Sequence, residues 1–494
     1  MRLRPIALSA AVAAVALGAL AAPAQAAPDD EGQFVGVLLP EQIAVIAGKT
    51  KTVRAEVLNI GSKPAENVVA DFSDIDPSLK LTLPANCDAT SCPVGDIAAN
   101  GRKVLTFTIG STGDKLAANF QVGVDGLTSE VTVVRSEGGI DLELEPIDDP
   151  KIGRGQSAAL PITVHNAGSE PVSTVGLVVA AENGLTPLGS YRNCLPLDEV
   201  EDEIDDTAGI VCLFDEEFAP GATFRLPADS PVKLRVNKDA GGPYTYSGAA
   251  IAVGLNDEDA ALLARQKTGK VLTLDAVSKA SGLLDEEPDD LNIEDNIATF
   301  GVSVGKSVAD SAAVGATISG KGGDTRTIKV GVRNLGPTTV IPFSDDVDWF
   351  PGVQVTIPAG LKLTEVDPFC MPGSGVDVKK PGSIDGRDYL CVAPMGLGVG
   401  KLESFTFTGT LTGDESTAGS VVVDGGVQDP NAKNDKAAIT VALTGQGGEG
   451  GEGGGGLPVT GAPTGWVALG GALLLLAGGV AAYVFRRRRI VTTL

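Results

Sequence analysis

The sequence predicts an all-β chain of tandem antiparallel β-sandwiches, and three observations carry that expectation. Gly occurs 64 times and Pro 30 times in 494 residues, which divides the chain into short elements separated by turns. Three segments repeat one pattern, a Val/Ile-rich alternating strand that runs into Asn-x-Gly. The six cysteines fall two to a repeat, in matching register with that motif.

The first repeat reads TVRAEVLNIGSKPAENVVADF and holds Asn59 and Gly61. The second reads ALPITVHNAGSEPVSTVGLVV, with Asn166 and Gly168, and the third TIKVGVRNLGPTTVIPF, with Asn334 and Gly336. Apolar residues at every second position mark a strand with one buried face. Asn-x-Gly followed by Ser or Pro supplies the dihedral angles of a tight turn.

From the Asn to the first cysteine is 28 residues in the first two repeats and 36 in the third. A glycine lies nine residues beyond each second cysteine, at Gly101, Gly221 and Gly400, and a further strand follows it. Agreement among these spacings predicts three homologous domains, 27–137, 138–306 and 307–444, with one disulfide in each: Cys87–Cys92, Cys194–Cys212 and Cys370–Cys391. Short strands with turn residues between them and one bridge per unit fit antiparallel sandwiches of immunoglobulin type. The second domain is long because NDEDAALLARQK, Asn256 to Lys267, reads as a short inserted helix with an acidic first turn.

The second and third repeats close alike, on DLNIEDNIA (Asp290 to Ala298) and DPNAKNDKA (Asp429 to Ala437), each before a β-branched strand. Oxygens of Asp290, Asn292, Asp295 and Asn296 are of the hard kind that binds Ca²⁺. The plainer reading is an Asx-rich turn, and neither a metal site nor a cofactor is expected. These repeats resemble bacterial Ig-like modules of the cell-adhesion-related (CARDB-like) kind, through Val57-Leu58-Asn59-Ile60-Gly61, Val164-His165-Asn166-Ala167-Gly168, Val332-Arg333-Asn334-Leu335-Gly336 and the two closing turns. The resemblance implies a spacer or adhesive role rather than a reaction. The disulfides depart from it.

The two ends point to export. Arg2 and Arg4 precede an apolar stretch and then Ala24-Gln25-Ala26, which predicts a signal peptide over 1–26. Near the other end, Trp466 to Phe485 is a run of twenty residues without a charge, followed by Arg486 to Arg489. Its length matches a helix crossing about 30 Å of hydrocarbon, so 466–485 is expected to span the membrane and 486–494 to form a basic cytoplasmic tail. Before it lie a glycine-rich tether, 445–456, and Leu457-Pro458-Val459-Thr460-Gly461. In this order the three parts resemble the sortase sorting signal of Gram-positive cell-wall proteins. The resemblance implies that a membrane transpeptidase cuts after Thr460 and joins the chain to peptidoglycan. The sequence thus predicts a secreted, wall-anchored protein that passes through a membrane-anchored stage. Its partners would be sortase, peptidoglycan and an unidentified protein or glycan.

The formal net charge is −25, although both ends carry arginines and no acids. So acidic an exported part repels phosphates and excludes nucleic acid as a partner. No catalytic residue is expected. The one histidine, His165, occupies a repeat position that holds Leu58 and Arg333 elsewhere, the cysteines pair, and there is no nucleophile-elbow, zinc-protease or P-loop motif. Display of the domains for adhesion or as a spacer is the primary reading. A pilin-like or coat subunit is the alternative, and an extracellular hydrolase is disfavoured by the missing constellation. Trp349 and Phe350, flanked by acids, are the candidate ligand contacts, with a core role as the rival reading. The acidic run Asp198 to Asp206 reads as a solvated loop.

Overall fold

The computed structural model describes residues 34–444, apart from residues 62, 100, 198–206, 256–268, 279–289, 342–351, 374–379, 393–395, 414–416 and 426–427. The described residues form strands, with no α-helix among them.

Two sheets share the first core. One orders Val35–Leu38, Thr50–Asn59, Gly101–Ser111 and Leu79–Thr82. The other orders Gln42–Ile46, Leu127–Ser136, Ala117–Val124, Ala65–Ser73 and Ser91–Ile97. Alternation decides what faces inward: in Thr50–Asn59 the buried residues are Lys51, Val53, Ala55, Val57 and Asn59. Phe107 anchors the core, with its ring 5.1 Å from Phe72 and 6.1 Å from Phe120, both edge-on.

The second core lies on a five-stranded sheet: Cys194–Pro196, Thr207–Phe214, Val175–Glu182, Tyr244–Gly254 and Ile297–Val304. Two smaller sheets cover it, one built on Thr163–Asn166 and Thr223–Arg225, the other on Lys233–Val236. The central strand, Val175–Glu182, is buried on both faces. Val175, Leu177 and Val179 join the main core, while Val178 and Ala180 join a second cluster with Leu197, Val211, Leu213, Ile251 and Leu255. A continuous apolar run replaces simple alternation there for that reason.

The third core repeats the plan of the first. Thr325–Asn334 and Leu402–Leu411 centre one sheet; Gly352–Thr356 and Gly419–Val423 centre the other. Tyr389 packs on Phe407 at 5.4 Å.

The expectation of purely antiparallel sandwiches needs correction at two places. Gln42–Ile46 runs parallel to Leu127–Ser136, and Ala316–Gly320 parallel to Lys436–Leu443. In both domains the entering strand starts in one sheet and then crosses to the other. There it meets the final strand, which runs the same way. The crossing needs residues that leave a ladder easily: Pro40, which has no N–H to donate, and Gly315, where a Cβ would lie 2.1 Å from the Ala438 carbonyl oxygen.

The expected signal peptide, the inserted helix over Asn256–Lys267, the glycine tether, the membrane span and the basic tail lie outside the described residues.

Candidate functional site

The three Asn-x-Gly motifs do the same physical work. Asn59, Asn166 and Asn334 are buried at strand ends. Each side-chain Oδ1 accepts the N–H of the glycine two residues on, at 3.0, 3.0 and 2.9 Å. Each Nδ2 donates to the carbonyl four residues on: Lys63 at 2.8 Å, Glu170 at 2.9 Å and Thr338 at 2.7 Å. It also donates across the sandwich end, to Ala98 at 3.0 Å, Phe218 at 2.8 Å and Leu397 at 2.8 Å. One amide thus satisfies three main-chain groups that the turn takes out of the ladder.

The middle residue of each motif donates its N–H to the chain entering the domain: Ile60 to Phe34, Ala167 to Asp141, Leu335 to Asp310. The glycine lets that chain approach. A Cβ on Gly168 would lie 2.5 Å from the Gly139 oxygen, and one on Gly336 2.5 Å from the Asp310 nitrogen. The later glycines close the same corner. Gly221 and Gly400, at φ of 76° and 74°, donate to the carbonyls of Asn166 and Asn334. Gly101 is the register partner of Asn59.

All three disulfides pair within a repeat: Cys87–Cys92, Cys194–Cys212 and Cys370–Cys391. Cys194 and Cys212 are register partners on adjacent antiparallel strands, as are Cys370 and Cys391. In both cases the bridge clips a three-residue edge strand onto its sheet. Such short edges have few ladder bonds of their own.

A buried charge cluster joins the first repeat to the second. Lys51 ends the inward face of its strand and reaches three carboxyl groups of the second repeat. Its Nζ lies 2.6 Å from Asp141 Oδ2, 2.7 Å from Glu143 Oε1 and 2.7 Å from Asp295 Oδ2. Asn292 completes the joint. Its Oδ1 accepts the Ala44 N–H at 2.7 Å, and its Nδ2 donates to the Ala44 carbonyl and to Asp141 Oδ1. Burial alone pushes the Lys51 ammonium down, but the coulombic pull of Asp295, Glu143 and Asp141 overrides it and holds the amine above its ordinary value. Burial pushes Asp295 from 3.8 up to about 8; Lys51 opposes the shift, while Asp141 and Glu143 add to it.

The two joints differ. Between the second and third repeats, Thr339 donates its N–H to the Asp239 carbonyl at 2.8 Å, and Ile341 enters the core of the second repeat. Gly241 and Gly242 permit the approach: added Cβ atoms would lie 2.3 Å from the oxygens of Thr339 and Gly305 respectively. Arg154 binds the linker carbonyls of Ala240, Gly305 and Lys306.

The structure brings several sequence-predicted residues together and leaves others out. In the closing turn of the second repeat, Asp290 caps the N–H groups of Leu142 and Asn292, and Asp295 holds Lys51. The cation at that turn is therefore a lysine ammonium. Among the described residues no group of His, Cys, Asp or Glu is arranged to hold a metal ion. His165 Nδ1 lies 2.8 Å from Thr223 Oγ1, and His165 pairs with Glu143 across the ladder. Trp349, Phe350, the acidic run Asp198–Asp206 and the pentapeptide Leu457–Gly461 lie outside the described residues. Sequence reasoning missed Lys51. The available signal was a lysine in phase with Val53, Ala55 and Val57 on the buried face of its strand.

No protein-family model matches the chain, and no curated protein matches it. Among solved structures it is similar to a tandem from titin, at 8% identity over 83% of this chain and 100% of that one, with a TM-score of 0.14. It is also similar to domains 5 and 6 of the S-layer protein SbsC (11% identity, 44% and 91% coverage, TM-score 0.19). A third is a trypsin-activated alpha-2-macroglobulin from Escherichia coli (12% identity, 68% and 21% coverage, TM-score 0.18). Scores this low mark no common global arrangement.

Proposed function

We propose that this chain is a wall-anchored display protein. Sortase would join Thr460 to peptidoglycan, and disulfide-clipped β-domains would be held outward for adhesion or spacing. The observation that carries the reading is the ordered set at 457–494: Leu457-Pro458-Val459-Thr460-Gly461, the uncharged run Trp466–Phe485 and Arg486–Arg489. By resemblance to sorting signals, a cysteine thiolate of the partner enzyme attacks the Thr460 carbonyl. The bond to the Gly461 nitrogen breaks and a thioester forms. An amine of a peptidoglycan precursor then attacks that thioester, expels the thiolate and leaves an amide. This protein supplies the acyl group, and the nucleophile belongs to the enzyme.

Three disulfides support an oxidising destination outside the cytoplasm. Mass spectrometry of wall-released protein tests the anchoring. The expected C-terminus is Thr460 carrying a peptidoglycan fragment, and a mature protein that retains residues beyond Gly461 sinks the reading. Detergent-resistant ladders in wall extracts would replace it with a polymerised subunit. For the adhesive role, Trp349→Ala should weaken binding of the released protein to cells or glycans, and absence of binding to all of them leaves spacing alone.

A further inference from the structure

The cluster between the first and second repeats sets one ammonium against three carboxyl groups, and Lys51, Asp141 and Glu143 are almost wholly buried. Fully ionised, it would hold two surplus negative charges in a joint that water reaches only at Asp295, whose side chain is 22% exposed, at a cost that one ion pair does not repay. The neighbouring cations are engaged elsewhere: Lys49 donates to the Gly168 carbonyl, and Arg54 to that of Leu144. Two further titratable groups face the cluster: Asp290, which adds negative charge, and His165, opposite Glu143 in the ladder with its Nδ1 on Thr223 Oγ1. Within the cluster, Asp295 Oδ2 receives Lys51, but Asp295 Oδ1 is buried with no hydrogen-bond partner. An ionised carboxylate tolerates a dry, unpaired oxygen far less well than a neutral carboxyl does.

We infer that docking of the first repeat onto the second is coupled to a proton held by Asp295, so that the joint is tight when Asp295 is neutral and loosens when it ionises. The upward push on Asp295 to about 8, caused first by burial, agrees with the geometry. Undocking lets water reach Asp295 and relieves burial, the first cause of its upward shift, while Asp141 and Glu143 stay beside it in the second repeat. Burial being the largest effect, the docked state binds the proton more tightly, and docking weakens as pH rises toward about 8 and levels off above. Asp290, raised by burial, acts in the same direction. Lys51 stays cationic across this window, because its own value is raised.

Hydrogen exchange of the full-length chain tests the inference at Ala44, whose N–H crosses the joint to Asn292 at 2.7 Å. After correction for intrinsic rates, protection of peptides covering Ala44 and Asn292 should fall between pH 5 and pH 8. The Asp295 proton should account for up to about tenfold of the fall per unit. Asp295→Asn, the neutral isostere, should restore protection at pH 8 to the wild-type level at pH 5 and flatten most of the profile. Independently of any variant, the Asp295 carboxyl carbon shift in ¹³C-Asp-labelled wild type should titrate near 8. Protection that is flat with pH, an Asn variant with the wild-type slope, or a carboxyl midpoint near 4 would each overturn the inference. So would an intact mass short by one water, which would make the joint covalent.

Discussion

Replacing Asn334 by alanine removes the amide that closes the turn of the third repeat. Three hydrogen bonds go: from Gly336 N–H at 2.9 Å, to the Thr338 carbonyl at 2.7 Å and to the Leu397 carbonyl at 2.8 Å. Asn334 is 0% exposed, so water does not replace them. At about 1 kcal/mol for each bond left unmade, the variant loses about 3 kcal/mol. For a unit of this size that corresponds to a fall of about 12 °C in the midpoint of the third-repeat transition. Differential scanning calorimetry of the oxidised chain measures it. Asn334→Asp sharpens the test. It keeps an acceptor for Gly336 but turns a carboxylate oxygen toward two carbonyls, which raises the carboxyl, so it should be worse than alanine at neutral pH and recover in part as the pH falls toward about 4. A shift under about 3 °C for alanine, or an aspartate variant as stable as wild type, would refute the argument that this side chain pins the turn.

Three further outcomes are expected. Removing Cys194–Cys212 or Cys370–Cys391, whose partners are 18 and 21 residues apart, should lower stability in urea by about 3 kcal/mol each. Removing Cys87–Cys92, with partners 5 residues apart, should cost about 2 kcal/mol. Phe107→Ala, which empties the contact with Phe72 and Phe120, should cost about 3 to 5 kcal/mol and be seen as early melting of the first repeat. Gly241→Val places side-chain atoms against the Thr339 oxygen and Ile341, so it should unseat the third repeat from the second. Limited proteolysis should then cut near Gly305–Ser307 much faster, while the third-repeat melting transition stays within a few degrees of wild type.

The strand pattern was legible because period-two alternation is a local consequence of burying one face, as in Thr50–Asn59. The disulfide pairs were legible because each repeat holds two cysteines at consistent offsets from its Asn. The same offsets foreshadowed the corner where Asn166 meets Gly221 and Asn334 meets Gly400. The parallel edge pairs were not legible, since the direction of a partner strand depends on which sheet the entering strand reaches after Pro40 or Gly315. The Asx-rich turn over Asp290, Asn292, Asp295 and Asn296 was legible as a turn, but nothing in it pointed to Lys51, which arrives from some 240 residues earlier in the chain.

By itself, the sequence determined the all-β class, the threefold repetition of the Asn-x-Gly motif and the bridges within each repeat, because each depends on spacing along one chain. Tertiary structure alone decided how the repeats are joined. Lys51 meets Asp141, Glu143 and Asp295 at the first joint. At the second, where Ala158 occupies the place in the repeat that Lys51 holds in the first, Gly241, Gly242 and Ile341 make the contact instead. Charge balance and close approach between distant segments depend on distances in space, and no local periodicity encodes those.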